Sequence, residues 1–251
     1  MRKLLNTLYI TTPESYLCKD GLNIVVSVKQ QEVFRIPSIN IESIVTFGYM
    51  GASPGLMKLC TDNGIALTFL SPNGRFVSMV QGETHGNVLL RKEQYKLSDD
   101  TEWSLHVAKL MIAAKIQNYR AVLRRYVRDY GQSSEIEQAV KTLETNKRHV
   151  LGATNKTTLI GFEGMASNAY FGVLPFLILN QKEFFPFKGR SRRPPKDAVN
   201  AMLSFAYTLM ANDISAALET VGLDPYVGFL HTLRPGRTSL ALDMRKNFEL
   251  I

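Results

Sequence analysis

EWSLHVAKLMIAAKIQNYRAVLRRYVRD, residues 102–129, decides how this chain is organised. The stretch holds neither Gly nor Pro. Leu105, Ala108, Met111, Ile112, Lys115, Ile116, Tyr119, Val122, Leu123 and Tyr126 recur at intervals of three and four, which places them on one face of a long helix. Gly131 supplies the stop. An apolar face this long must be covered by other helices, and the periodicity predicts them at 135–145, 159–179, 197–220 and 238–248. From residue 87 onward the chain reads as all-α.

Upstream the texture is the opposite. Runs rich in β-branched and aromatic residues at 4–11, 15–19, 23–28, 32–36, 43–47, 66–70 and 76–81 are separated by Gly, Pro, Asn and Asp, with turns at Asp20-Gly21 and Asn73-Gly74. Seven strands at this spacing predict a small β-sandwich or folded sheet. One helix interrupts them: Ser53 caps it, Pro54 takes its first position, Leu56, Leu59 and Cys60 share a face, and Gly64 ends it. The expected architecture is therefore a two-domain α+β chain, a β-sandwich-like domain over 1–86 followed by an all-α domain over 87–251.

With 251 residues and 45% hydrophobic content, the chain has enough apolar mass for two cores. Its 30 basic and 22 acidic side chains leave a net charge of +8, which favours a polyanionic partner. Residues 1–81 hold 7 of the basic and 5 of the acidic side chains, so the helical part carries most of the excess. Residues 1–12 are too polar for the apolar core of a signal peptide. The longest apolar run, 171–179, is broken by Pro175 and falls short of the roughly 20 residues that span a bilayer. A cytoplasmic protein without a membrane span is expected. Cys18 and Cys60 lack the paired spacing of a zinc site and read as buried thiols.

Residues 187–196, FKGRSRRPPK, gather Lys188, Arg190, Arg192, Arg193 and Lys196 beside helix-hostile Gly189, Pro194 and Pro195. This predicts a mobile basic loop that neutralises phosphates, with a solvated surface loop as the plain alternative. In GFEGMASNAYF, residues 161–171, Glu163 is the one acid in a small and apolar helical stretch. A carboxylate there must face a cation, a cleft or solvent; an exposed or helix-start glutamate satisfies the same pattern.

The segment 228–243, GFLHTLRPGRTSLALD, places His231 before a Pro235-Gly236 turn and Asp243 in the first turns of a helix that Thr238 or Ser239 caps. With 12 positions and a turn between them, His231 and Asp243 can meet without strain. An imidazole and two carboxylates form a hard oxygen and nitrogen site suited to manganese or magnesium, and such an ion polarises a phosphodiester. Arg234 and Arg237 add phosphate contacts. Read singly, His231 is also a hydrogen-bonded loop histidine and Asp243 a residue offsetting a helix dipole.

In their order and wording these motifs resemble the CRISPR-associated endonuclease and integrase family of spacer acquisition, the first-numbered Cas protein, in its type I-C branch. The resemblance rests on 44–48 (IVTFG), 64–70 (GIALTFL), 86–95 (GNVLLRKEQY), 115–120 (KIQNYR) and 193–204 (RPPKDAVNAMLS), and covers nearly the whole chain. It implies a metal-dependent DNA endonuclease and integrase whose catalytic Mg2+ or Mn2+ is held by Glu163, His231 and Asp243. It further implies a homodimer joined through the β domain, a small ferredoxin-like Cas partner, and insertion of double-stranded protospacer DNA into the CRISPR repeat array. The reaction is attack of a DNA 3′-hydroxyl on a repeat phosphodiester. The basic helical surface, with Lys115 and Arg120 of the long helix, would hold DNA backbone with little sequence readout.

One departure stands out. Where the family follows this aspartate with acidic residues and further helices, Asp243 is followed by Met244, Arg245, Lys246 and Asn247, and the sequence stops at Ile251. The expectation is a chain lacking the usual tail, through a truncated or frameshifted gene or a lineage that has shed it. Arg245 and Lys246 put positive charge beside the expected ion and weaken its binding. The alternative function is a catalytically impaired paralogue that holds DNA or scaffolds the Cas complex.

Overall fold

In the computed structural model, which describes residues 6–82, 88–192 and 194–248, the strand-and-turn region becomes two four-stranded sheets and the remainder is helical. The chain divides into two units, Met1–His85 and Gly86–Ile251. Their elements follow the sequence texture closely.

The first unit contains β1 (Thr7–Ile10), β2 (Ser15–Asp20), β3 (Asn23–Val28), β4 (Gln31–Pro37), β5 (Ser43–Phe47), β6 (Gly51–Ala52), α1 (Pro54–Asp62), β7 (Ala66–Leu70) and β8 (Phe76–Val80). One sheet has the order β1-β5-β7-β8 and the other β4-β3-β2-β6. β6 is the strand the periodicity did not predict; two residues are too short for an alternation to register. β5 and β7 run parallel because α1 provides the crossover between them, while the hairpins β2-β3 and β3-β4 are antiparallel. The β3-β4 turn places Lys29 and Gln30 at φ of 52° and 67°, a left-handed turn without the glycine or asparagine that marks such turns in a sequence. Leu17, Ile24 and Val26 from one sheet, Ile44, Leu67 and Phe69 from the other, and Leu56 and Cys60 from α1 share one core. Ser53 caps α1 through its hydroxyl, which accepts from the Leu56 amide.

The second unit comprises α2 (Val88–Asp99), α3 (Thr101–Tyr130), α4 (Ser134–Gly152), α5 (Lys156–Leu177), α6 (Ala198–Thr220) and α7 (Ser239–Arg245), followed by a 3-10 turn at Lys246–Phe248. Each long helix from α3 to α6 begins at a side-chain cap: Asp100, Ser133, Asn155 and Asp197 accept from amides of the first turn. Ile112, Ile116, Tyr119 and Leu123 of α3 meet Ile136, Leu143 and Val150 of α4 and Leu159, Ala166 and Tyr170 of α5 in the core. Each fully buried Leu, Ile or Val contributes about 1.5–3 kcal/mol. The Tyr119 and Tyr170 rings stack 3.9 Å apart and nearly parallel, packing α3 against α5. Thr238 takes the cap position of α7 but makes no side-chain cap bond. No helix among the described residues is long and apolar enough to cross a membrane.

Candidate functional site

The chain between α6 and α7 has no regular structure, yet it is tightly tied. Buried Gln94 of α2 donates to the carbonyls of Asp224 (2.8 Å) and Val227 (2.9 Å) and accepts from the Asp224 amide (2.9 Å). Arg91 donates to the Gly222 carbonyl and the Tyr95 hydroxyl to the Asp224 carboxylate. Ser104 of α3 donates to the Phe229 carbonyl at 2.8 Å and itself accepts from Lys156 at the start of α5. Two helices, α2 and α3, therefore hold the loop that carries His231, and α5 supports it through Ser104.

Asp243 is the hub on which this loop closes. Its carboxylate has no solvent exposure. Oδ2 accepts from the amides of Phe229 and Leu230, both at 2.8 Å, and Oδ1 accepts from the His231 amide at 3.1 Å and contacts His231 Nδ1. Backbone donors thus compensate the cost of burying this carboxylate. The approach requires glycine at 228: a Cβ there would lie 2.6 Å from Asp243 Oδ2 and 2.8 Å from the Ser239 carbonyl carbon. His231 and Asp243, 12 positions apart, do come together, with the imidazole partly exposed at 22%.

Glu163, in the middle of α5, faces two cations. Lys115 Nζ of α3 and Lys246 Nζ, one turn beyond Asp243, each lie 2.7 Å from Glu163 Oε1. Lys115 is 2% exposed, and Lys246 and Glu163 are each 12% exposed. Burial pushes the Glu163 carboxyl up, but the two ammonium groups outweigh it and hold its pKa at about 2. Asn118 of α3 donates to the Asn247 carbonyl, fixing the same turn against α3.

This arrangement does not fit a divalent cation. A hard ion needs carboxylate oxygens directed at it, whereas both oxygens of Asp243 are taken by three amides and an imidazole, and Glu163 is neutralised by two ammoniums. Among the described residues no group of three or more His, Cys, Asp or Glu side chains could hold a metal ion.

The basic residues expected to contact DNA fall into three sets. Lys188, Arg192, Lys196 and Arg234 are exposed, and Arg237 is half-buried; Arg193 lies outside the described residues. Arg190 turns inward, donating to Asn200 Oδ1 at 2.8 Å and stacking its guanidinium on Tyr207. Asn200, fully buried, also accepts from the Ser191 amide and donates to the Gly189 carbonyl, so residues 189–191 of the loop that composition reads as mobile are tied to α6. Lys115 and Arg120 are corrected: both are buried, Lys115 on Glu163 and Arg120 on Glu144 and Gln117, so neither presents its charge to a phosphate. The helical face of α3 that binds the core is the face they occupy.

A groove of about 530 Å3 between α3 and α4 is lined by Val127 and Val140 and by Arg124, Lys141 and Arg148 with Glu137 and Glu144, and Glu144 lies within ion-pair distance of Arg124 and Arg148. The residues sequence reading missed at the main site are Gln94 and Gly228. The signal for Gly228 is present in the sequence, a glycine at the start of a segment that must wrap a carboxylate. Gln94 offers no local signal because its partners lie about 130 positions away.

Residues 8–251 match the family described as CRISPR associated protein Cas1. A curated CRISPR-associated endonuclease from Chlorobaculum tepidum is 44% identical over 256 residues, covering 99% of this chain and 73% of the relative. Among solved structures, a casposase bound to integration product shares the fold at a TM-score of 0.77 and 23% identity, over 98% of this chain and 70% of the other. A partial Cas6-RT-Cas1–Cas2 complex shares it at 0.66 and 20%, over 98% and 73%.

Proposed function

The chain belongs to the Cas1 family, and from that premise we propose that it serves spacer acquisition on double-stranded DNA, with protospacer and CRISPR repeat as substrates. The reaction it supports in this reading is attack of a DNA 3′-hydroxyl on a repeat phosphodiester. The observation that carries the reading is 44% identity to a CRISPR-associated endonuclease along almost the whole chain. The exposed cations Lys188, Arg192, Lys196 and Arg234 supply phosphate contacts that need no base readout. A homodimer through the β unit and a small ferredoxin-like Cas partner complete the assembly; the likeness in fold to a Cas1–Cas2 complex supports the second.

A second reading is favoured by the two lysines on Glu163. In it the chain is the DNA-holding and complex-forming member of the machinery, and no divalent ion sits at Glu163. Two measurements separate the readings. Duplex affinity in chelator, followed against salt, should fall steeply, and the Arg192→Ala, Lys196→Ala double variant should reduce the slope of log K on log salt by about 2. Strand transfer into a repeat duplex with manganese and the Cas partner should then appear in the wild type and vanish in His231→Ala under the first reading, and be absent throughout under the second. Duplex binding that ignores both salt and these cations removes both.

A further inference from the structure

The lysine pair on Glu163 does more than neutralise one charge. Two ammoniums at 2.7 Å share a single oxygen of one carboxylate, in a place where Lys115 is almost wholly buried. Burying Lys115 is unfavourable without a counter-charge, and Glu163 supplies it. Lys246 is a second cation on the same oxygen. It reaches the carboxylate because the turn after α7 is fixed in two ways: Asp243 anchors the helix through three backbone amides, and Asn118 of α3 holds the Asn247 carbonyl. Next to it, the Arg245 guanidinium stacks on the Tyr207 ring, which also carries Arg190. The turn therefore delivers positive charge toward Glu163 by construction, and a divalent ion entering beside that oxygen must first expel a tethered ammonium.

We propose that Lys246 is a built-in counter-cation, whose ε-ammonium takes the cation's part at Glu163 and keeps the site metal-free and electrostatically satisfied. The inference deepens the second reading above and rests on the family assignment of Glu163 as a cation-facing residue. Because the ammonium is covalently tethered, its local concentration exceeds that of any free divalent ion. Lys246 thus acts as an autoinhibitory contact: the chain keeps its fold and its cationic surfaces while excluding the ion.

Manganese titration of the 251-residue chain, read by the electron paramagnetic resonance of free Mn2+, tests this directly. The wild type is expected to retain no stoichiometric Mn2+ at sub-millimolar concentration. Lys246→Glu, and more weakly Lys246→Ala, should gain one site at least about 10- to 100-fold tighter than any wild-type binding, and the gain should disappear when Glu163→Gln is added. Thermal melting confirms that each variant is folded. Should Lys246→Glu fail to fold, Lys246→Ala and the wild-type titration still decide the matter. Stoichiometric, Glu163-dependent Mn2+ binding by the wild type overturns the proposal, as does a folded Lys246→Glu without any gain. Neither result bears on duplex binding in chelator, so failure of this inference and failure of the DNA-binding role remain distinguishable.

Discussion

Replacing Glu163 by glutamine removes the charge and keeps the shape, and the structure predicts a large loss of stability. Lys115 is 2% exposed and Lys246 12% exposed, and both donate to the same Glu163 oxygen. Removing one member of a buried pair leaves a buried charge uncompensated, at about 3–5 kcal/mol. For a unit of this length each kcal/mol moves the melting temperature by about 2–4 °C, so Glu163→Gln should melt about 6–20 °C below the wild type. The pH dependence gives a second signature. Glu163 is held at about 2 from an ordinary 4.5, so between those values the unfolded chain binds more protons than the folded one. Stability from this group is fully present above about pH 4.5 and lost as pH falls toward 2. The wild type should therefore lose stability across that window faster than Glu163→Gln, whose side chain does not titrate. Thermal melts by far-UV circular dichroism at several pH values measure both. A carboxylate sitting among like charges, as an open acidic cluster would have it, gives the reverse, since neutralising it relieves repulsion. Glu163→Gln melting at or above the wild-type temperature, with parallel pH profiles, would refute the reasoning.

Further outcomes follow from the same packing. Gly228→Ala drives a Cβ to within 2.6 Å of Asp243 Oδ2 and 2.8 Å of backbone, so it should cost about 1–3 kcal/mol, seen as a lowered melting temperature and weaker amide protection at 229–231. Gln94→Ala strips partners from the Asp224 amide and from the Asp224 and Val227 carbonyls, for a loss of about 2–4 kcal/mol in chemical denaturation. Cys60 is buried and its thiol is pushed up to about 11 by desolvation, so a thiol reagent near neutral pH should modify the half-buried Cys18 first and reach Cys60 only on unfolding.

Much of the fold was legible in the residues because local physics sets it. The period of α3, the Ser53-Pro54 start of α1 and the Asp20-Gly21 turn each carry their own signal, and the structure reproduces them to within a residue or two. Two strand features carried none: the two-residue β6, and the Lys29-Gln30 turn, whose left-handed backbone is imposed by the hairpin and not by residue type. At the site, the meeting of His231 and Asp243 was readable from a Pro-Gly turn between them. The state of Glu163 was not, because its partners sit on α3 and beyond α7, at separations of 48 and 83 positions. For the same reason Lys115 and Arg120 looked like surface cations. Their periodic position on the core-facing stripe was the contrary signal, and burial, not charge, decided their role. The basic loop looked mobile from its glycine and prolines, while Asn200 in the following helix supplies hydrogen bonds that tie its first part, residues 189–191.

The grip of Gln94 on the loop before His231 joins residues some 130 positions apart. Contacts of that span close late, since the intervening chain must be ordered before the loop-closure entropy is recovered. During synthesis the five helices α2 to α6 can begin to pack while the Asp243 pocket does not yet exist. Formation of the site is thereby deferred until α7 has been translated, after the helices that hold its loop.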